Sequence, residues 1–184
     1  MNDRPDVVVR LDWYEMAHAM QVGGGRLIEQ HRQRPERQAF GSTLGNNKWQ
    51  VNIEGAMGEA AVAKFLRTYW DGSINKHDGP DVAGFVEVRT CSFSDGWLWV
   101  WEKDPDERPV VLVTGTSPTF RIVGWIYAGA AKQTDYWQTS DAPNNRKNSR
   151  CWFVPPSVLE HPTWLSTRMG EMRFIHDQKT IEGA

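Results

Sequence analysis

The sequence predicts an α/β domain with a mixed central β-sheet flanked by helices. Three observations predict it. Residues 53–70 are rich in alanine and carry a wide apolar helical face. Four short strand-like runs follow, separated by turn signals. A further short helical segment is read at 128–137. At 184 residues the chain suits one domain able to bury its own core. We read residues 1–50 as a helical arm and polar loop packed on the core, 51–137 as the core, and 138–184 as a basic loop, short strand and tail.

Taken in order, Leu11, Tyr14, Met16, Ala17 and Met20 give a partly helical pattern that Gly23-Gly24-Gly25 interrupts. Residues 32–48 are polar and read as an exposed loop. In the helix at 53–70, Ala56, Met57, Ala60, Ala61, Val62, Ala63, Phe65 and Leu66 supply propensity and an apolar face. Glu54 falls in its first turn, where an acid is favourable. The strand runs are Val82 to Thr90, Trp97 to Trp101, Val110 to Thr114 and Phe120 to Tyr127. The continuous apolar stretch Val110 to Val113 fits a strand covered on both faces. Cys151 to Val154, followed by two prolines, reads as an edge strand, and a weakly helical tail completes the chain.

The bulk chemistry excludes several classes. A net charge of -2 leaves nucleic-acid contact to a local basic patch. Two cysteines make neither a disulfide framework nor a zinc quartet. No apolar run is long enough for a membrane span, and the polar start lacks a signal-peptide core, so a cytoplasmic location is expected.

One acid stands out on the helix. Glu59 shares a face with Ala56, Val62, Ala63 and Leu66, and a carboxylate there is costly unless something positive meets it. On the following strand, alternation points Glu87 and Arg89 the same way. Asp81 opens that strand after Pro80. Five residues separate it from Glu87, short enough for a bent strand or tight hairpin to unite the two carboxylates. Converging oxygens of this kind suit a hard divalent cation. The plain alternative is a same-face ion pair of Glu87 with Arg89 and a turn aspartate.

Gly79-Pro80-Asp81 followed by Glu87-Val88-Arg89 resembles the PD and (D/E)XK elements of the PD-(D/E)XK phosphodiesterase superfamily. Gly58-Glu59-Ala60 to Ala63 resembles that superfamily's first-motif helix. The Trp-Phe-Val-Pro-Pro element adds a likeness to small nuclease-like proteins of phages and prophages. The resemblance covers roughly residues 52–137. It implies a restriction-endonuclease-like core and a Mg²⁺- or Mn²⁺-dependent endo- or exodeoxyribonuclease. Asp81 and Glu87 would be metal ligands, the Val88 backbone carbonyl a further one, and Glu59 a ligand directly or through water. Arg89 stands where the superfamily has lysine. It cannot act as a base, but it can hold a phosphate oxygen. Lys48 and Lys76 are candidates to supply an ammonium group.

Other residues carry weaker expectations. Arg146, Lys147 and Arg150, and also Arg32, Arg34 and Arg37, are either nucleic-acid contacts or solvated loop. His77 is a surface turn residue or a proton shuttle. Trp97, Trp99 and Trp101 line one strand face, as a stacking or protein-docking surface or as core under a helix. Cys91 reads as a small buried residue. DNA is the expected partner, with a protein partner through the tryptophan-rich surface as a further expectation. The rival function is a catalytically silent member of the same fold that binds DNA or protein, in a phage particle or against a host factor.

Overall fold

The computed structural model describes residues 6–33, 48–74, 79–138 and 150–168. It is a mixed α/β fold. Strand β1 (Val7–Arg10) is followed by helices α1 (Trp13–Gln33) and α2 (Lys48–Phe65). Then come β2 (Glu87–Cys91), β3 (Leu98–Val100), β4 (Pro109–Thr116) and β5 (Thr119–Tyr127). Short helix α3 (Ala128–Ala131) precedes β6 (Trp137–Gln138) and β7 (Cys151–Val154), and residues 162–168 are helical.

The central sheet has the order β1-β5-β4-β2. β2 and β4 run parallel, while β5 is antiparallel to both β4 and β1. A parallel pair needs a crossover. Here the chain between β2 and β4 passes through β3, which belongs to a second sheet of order β3-β7-β6.

Each face of the central sheet is covered differently. Val88, Val111, Val113, Phe120, Ile122 and Trp125 pack with α2 and with Ala19 and Val22 of α1. On the opposite face Val110 and Leu112 meet Leu98, Val100, Val154 and Ala128. The apolar run of β4 is therefore buried on both sides, as its composition requires.

Several sequence expectations change. The triple glycine does not interrupt α1; the helix runs through it, with Gly23 and Gly24 against α2 and Gly25 against Ile74. A Cβ on Gly23 would lie 2.6 Å from the Asn52 carbonyl oxygen and from the Ile53 Cα. Both atoms are backbone, so the helices themselves would have to separate. Gly23→Ala is expected to cost about 3 kcal/mol, read as a lowered thermal midpoint, because packed helices have no flexible group to give way.

Second, α2 begins at Lys48, so Glu54 is not in its first turn. Its carboxylate instead accepts hydrogen bonds from the Ser117 backbone N–H at 3.1 Å and the Ser117 hydroxyl at 3.3 Å. Third, β7 is the middle strand of the small sheet, not an edge. Fourth, Trp99 and Trp101 pack with strand residues of the small sheet, and no helical residue joins their cluster among the described residues. Trp99 joins Cys151 and Phe153 in a small cluster, with Cys91 and Trp101 against it, while Trp97 lies outside β3 and is exposed. The segment before residue 51 also supplies more than an arm, since β1 is an edge strand of the central sheet.

Candidate functional site

Asp81, Glu87 and Glu59 meet at the open edge of β2, and a tight hairpin brings them there. Val82 and Val86 exchange two backbone bonds at 3.0 Å, and the Asp81 N–H donates to the Val86 carbonyl at 2.9 Å. The turn between them has positive φ at two successive residues, Ala83 at 56° and Gly84 at 79°, with Phe85 N–H closing onto the Val82 carbonyl. Those are the requirements of a type I′ turn. Ala83 adopts this conformation without glycine's freedom, at a cost of about 1 kcal/mol.

Folding back in this way sets Asp81 beside Val88. The Val88 N–H donates to Asp81 Oδ2 at 2.8 Å, so a carboxylate occupies the edge that a neighbouring strand would fill. In a β-strand the N–H and C=O of one residue face the same side. The Val88 carbonyl therefore points to this edge too.

Glu59 reaches the site because α2 lies unusually close to β2. A Cβ on Gly58 would fall 2.0 Å from the Thr90 hydroxyl oxygen. Glu59 is buried and fully engaged. Arg26 of α1 donates to both of its oxygens, at 2.5 and 2.8 Å, and the Trp70 indole N–H adds a third bond at 3.2 Å. Arg26 is itself fixed by the Ser73 carbonyl at 3.0 Å. The positive partner that the apolar helix face demands is an arginine.

Glu87 and Arg89 project together from β2 and form an ion pair. Arg89 continues to Asp104, donating to both oxygens at 2.8 and 3.1 Å, and its Nε–H reaches the Trp99 carbonyl at 3.3 Å. Asp104 is buried and also accepts the Trp101 N–H at 2.9 Å. Arg108 approaches the second oxygen of Glu87 at 3.4 Å. Lys132 pins the same loop through the carbonyls of Glu102 and Asp104.

The charges balance in pairs. Glu59, Glu87 and Asp104 face Arg26, Arg89 and Arg108, which leaves Asp81 as the additional acid. Burial, then the nearby negative charges of Glu59 and Glu87, hold the Asp81 carboxyl well above the ordinary aspartate range. The Val88 N–H and Arg89 oppose the shift without cancelling it. A carboxyl raised on folding favours the native state at low pH and loses that contribution as pH rises through its folded value. Asp81→Asn keeps an acceptor for Val88 but cannot ionise. Its stability relative to the unsubstituted protein is expected to rise as pH increases above about 4, in parallel urea titrations.

The metal implied by the resemblance can be weighed against this arrangement. The donors are hard oxygens of the right chemistry. Glu59 and Glu87, however, are engaged by arginines, and only Asp81 is not. A millimolar-affinity cation contributes about 4 kcal/mol. Stripping one partner from a buried ion pair costs about 3–5 kcal/mol, and here two pairs would be broken. Among the described residues no group of three His, Cys, Asp or Glu side chains is placed to hold a metal ion. As paired here, Glu59 and Glu87 are not free to join Asp81 around a divalent cation.

No family model, curated protein or solved structure matches this chain. The likeness to PD-(D/E)XK enzymes thus stands on the motif residues alone.

The remaining predicted residues lie apart. Lys48 opens α2, three turns from Glu59 and roughly 16 Å along the axis, too far to supply an ammonium group. Arg150 is exposed ahead of β7, and Arg32 is paired with Glu29 at 2.6 Å. Lys76, His77, Arg34, Arg37, Arg146 and Lys147 lie outside the described residues. Sequence reasoning missed Arg26, Trp70, Asp104 and Arg108. Only Arg26 left a signal, as a cation placed directly after three glycines that admit close helix packing. Asp104 reads as an ordinary turn residue in Asp-Pro-Asp. No helix is long and apolar enough to cross a membrane among the described residues.

Proposed function

We propose that the chain is a catalytically silent, DNA-binding relative of the PD-(D/E)XK nucleases with a restriction-endonuclease-like core. One observation carries the loss of catalysis: Arg26 holds both oxygens of Glu59, and Arg89 is ion-paired with Glu87, two of the three carboxylates that a metal would need. The positions of Glu59, Asp81 and Glu87 around one sheet edge support the ancestry. A cleft of about 210 Å³ above Glu87 and Arg89, lined also by Lys103 and Arg108, supports contact with backbone phosphate.

The test is cleavage and binding on the same preparation. Plasmid, linear and single-stranded DNA are incubated with Mg²⁺ or Mn²⁺, beside Glu87→Ala. No cleavage above that variant is expected, calorimetry with Mn²⁺ shows no heat at millimolar metal, and DNA affinity falls steeply with salt. Cleavage by the unsubstituted protein that Glu87→Ala loses would overturn the reading.

A second reading is a metal-dependent deoxyribonuclease. The raised Asp81 carboxyl favours it, because a divalent cation would relieve the crowding of Asp81 by Glu59 and Glu87. The same cleavage assay decides between the two.

A further inference from the structure

A second cavity, of about 600 Å³, shares Arg108 with the cleft above Glu87 and Arg89. Gly84, Phe85, Glu107, Arg108, Pro109 and Tyr127 line it. Its volume is that of a small-molecule site. Two of its walls are aromatic, and both rings are fixed from behind. Phe85 and Tyr127 pack against the main core, and Tyr127 meets Trp125 edge-on at 5.2 Å. The strained turn at Ala83 and Gly84 presents Phe85 to it. Arg108 lines this cavity and the smaller cleft alike, and its guanidinium approaches Glu87 at 3.4 Å. Its backbone is anchored on both sides, N–H to the Pro105 carbonyl and carbonyl to the Ala128 N–H, each at 2.9 Å.

Aromatic walls with Arg108 in the lining, and with Arg168 over the Tyr127 ring at 5.9 Å, match a planar ring carrying an anion. A nucleotide has that form: the base stacks on aromatic rings, and the phosphate meets arginine. Glu107, exposed at the rim, adds an acceptor for a base bearing an exocyclic amine.

We propose that the cavity lined by Phe85, Tyr127 and Arg108 is a nucleobase pocket that takes one unstacked, amino-bearing base of a DNA strand whose phosphate lies on Arg108. This rests on the reading of the chain as a DNA binder, and it adds that the bound form is single-stranded or locally opened.

Calorimetric titration with dCMP, dTMP, inorganic phosphate, and single- and double-stranded oligonucleotides tests it. dCMP is expected to bind at least tenfold more tightly than inorganic phosphate and more tightly than dTMP. Tyr127→Leu and Phe85→Leu, which keep apolar volume but remove the ring, should each weaken dCMP about tenfold and leave phosphate binding unchanged. Having both variants keeps the test open if one fails to fold. dCMP bound no better than phosphate, or equally by the unsubstituted protein and a folded ring variant, overturns the pocket. DNA binding alongside that result leaves the DNA reading standing alone. Tight, ring-dependent dCMP binding with no affinity for either oligonucleotide removes the DNA reading and, with it, the proposed strand.

Discussion

Glu59→Ala is expected to destabilise the protein by about 4 kcal/mol, a drop of about 2 M in the urea midpoint for an ordinary slope of about 2 kcal/mol/M. The substitution leaves the Arg26 guanidinium without its bidentate partner in a largely buried site and orphans the Trp70 indole N–H. An uncompensated buried charge is among the few mechanisms that produce effects of this size. The sign of the change also discriminates between functions. In a working metal centre, crowded carboxylates repel one another, and removing one commonly stabilises the metal-free protein. A stabilised Glu59→Ala would therefore sink the structural role of the Arg26 pair and revive the metal site. The double replacement Arg26→Met with Glu59→Leu should recover most of the loss, because a buried ion pair exchanged for apolar groups of similar volume is often neutral.

Arg89→Lys installs the residue that the nuclease superfamily carries, and it is expected to cost about 3 kcal/mol without creating activity. Arg89 serves three acceptors at once: Glu87, both oxygens of Asp104 and the Trp99 carbonyl. A planar fork makes this possible, whereas an ammonium is a point charge that cannot reproduce the bidentate bond. Asp104 would be left buried with only the Trp101 N–H from this network. Chemical denaturation reads the stability, and the Mg²⁺-dependent plasmid assay reads the activity. A Mg²⁺-dependent nuclease emerging in Arg89→Lys would show that the acidic edge is competent and that one residue silences it, contrary to the reading advanced above. Retention of full stability would show that Asp104 is not held by Arg89 as described.

Much of the site was legible in the chain because its signals are local. Alternation along one strand puts Glu87 with Arg89, and helical periodicity puts Glu59 on a face where a charge requires compensation. The short interval from Asp81 to Glu87 admits a hairpin, and Val82 with Val86 forms one. What periodicity cannot carry is identity of partner. The demand for positive charge at Glu59 was equally consistent with a metal and with a side chain from elsewhere. Arg26 lies 33 residues away on another helix, so no local pattern connects the two. Asp104 is similarly remote from Arg89, and its reading as a turn residue was locally sound.

The sequence by itself determined the mixed α/β class, the apolar centre of β4, the pairing of Glu87 with Arg89 and the apolar face that carries Glu59, since each follows from a period of two or 3.6 residues. Only the tertiary structure decided what neutralises them. α1 reaches Glu59 because glycines let it lie against α2, and the loop at 101–108 reaches Arg89 because Lys132 holds it in place. Long-range packing sets which charge faces which, and a buried carboxylate takes whatever partner that packing delivers.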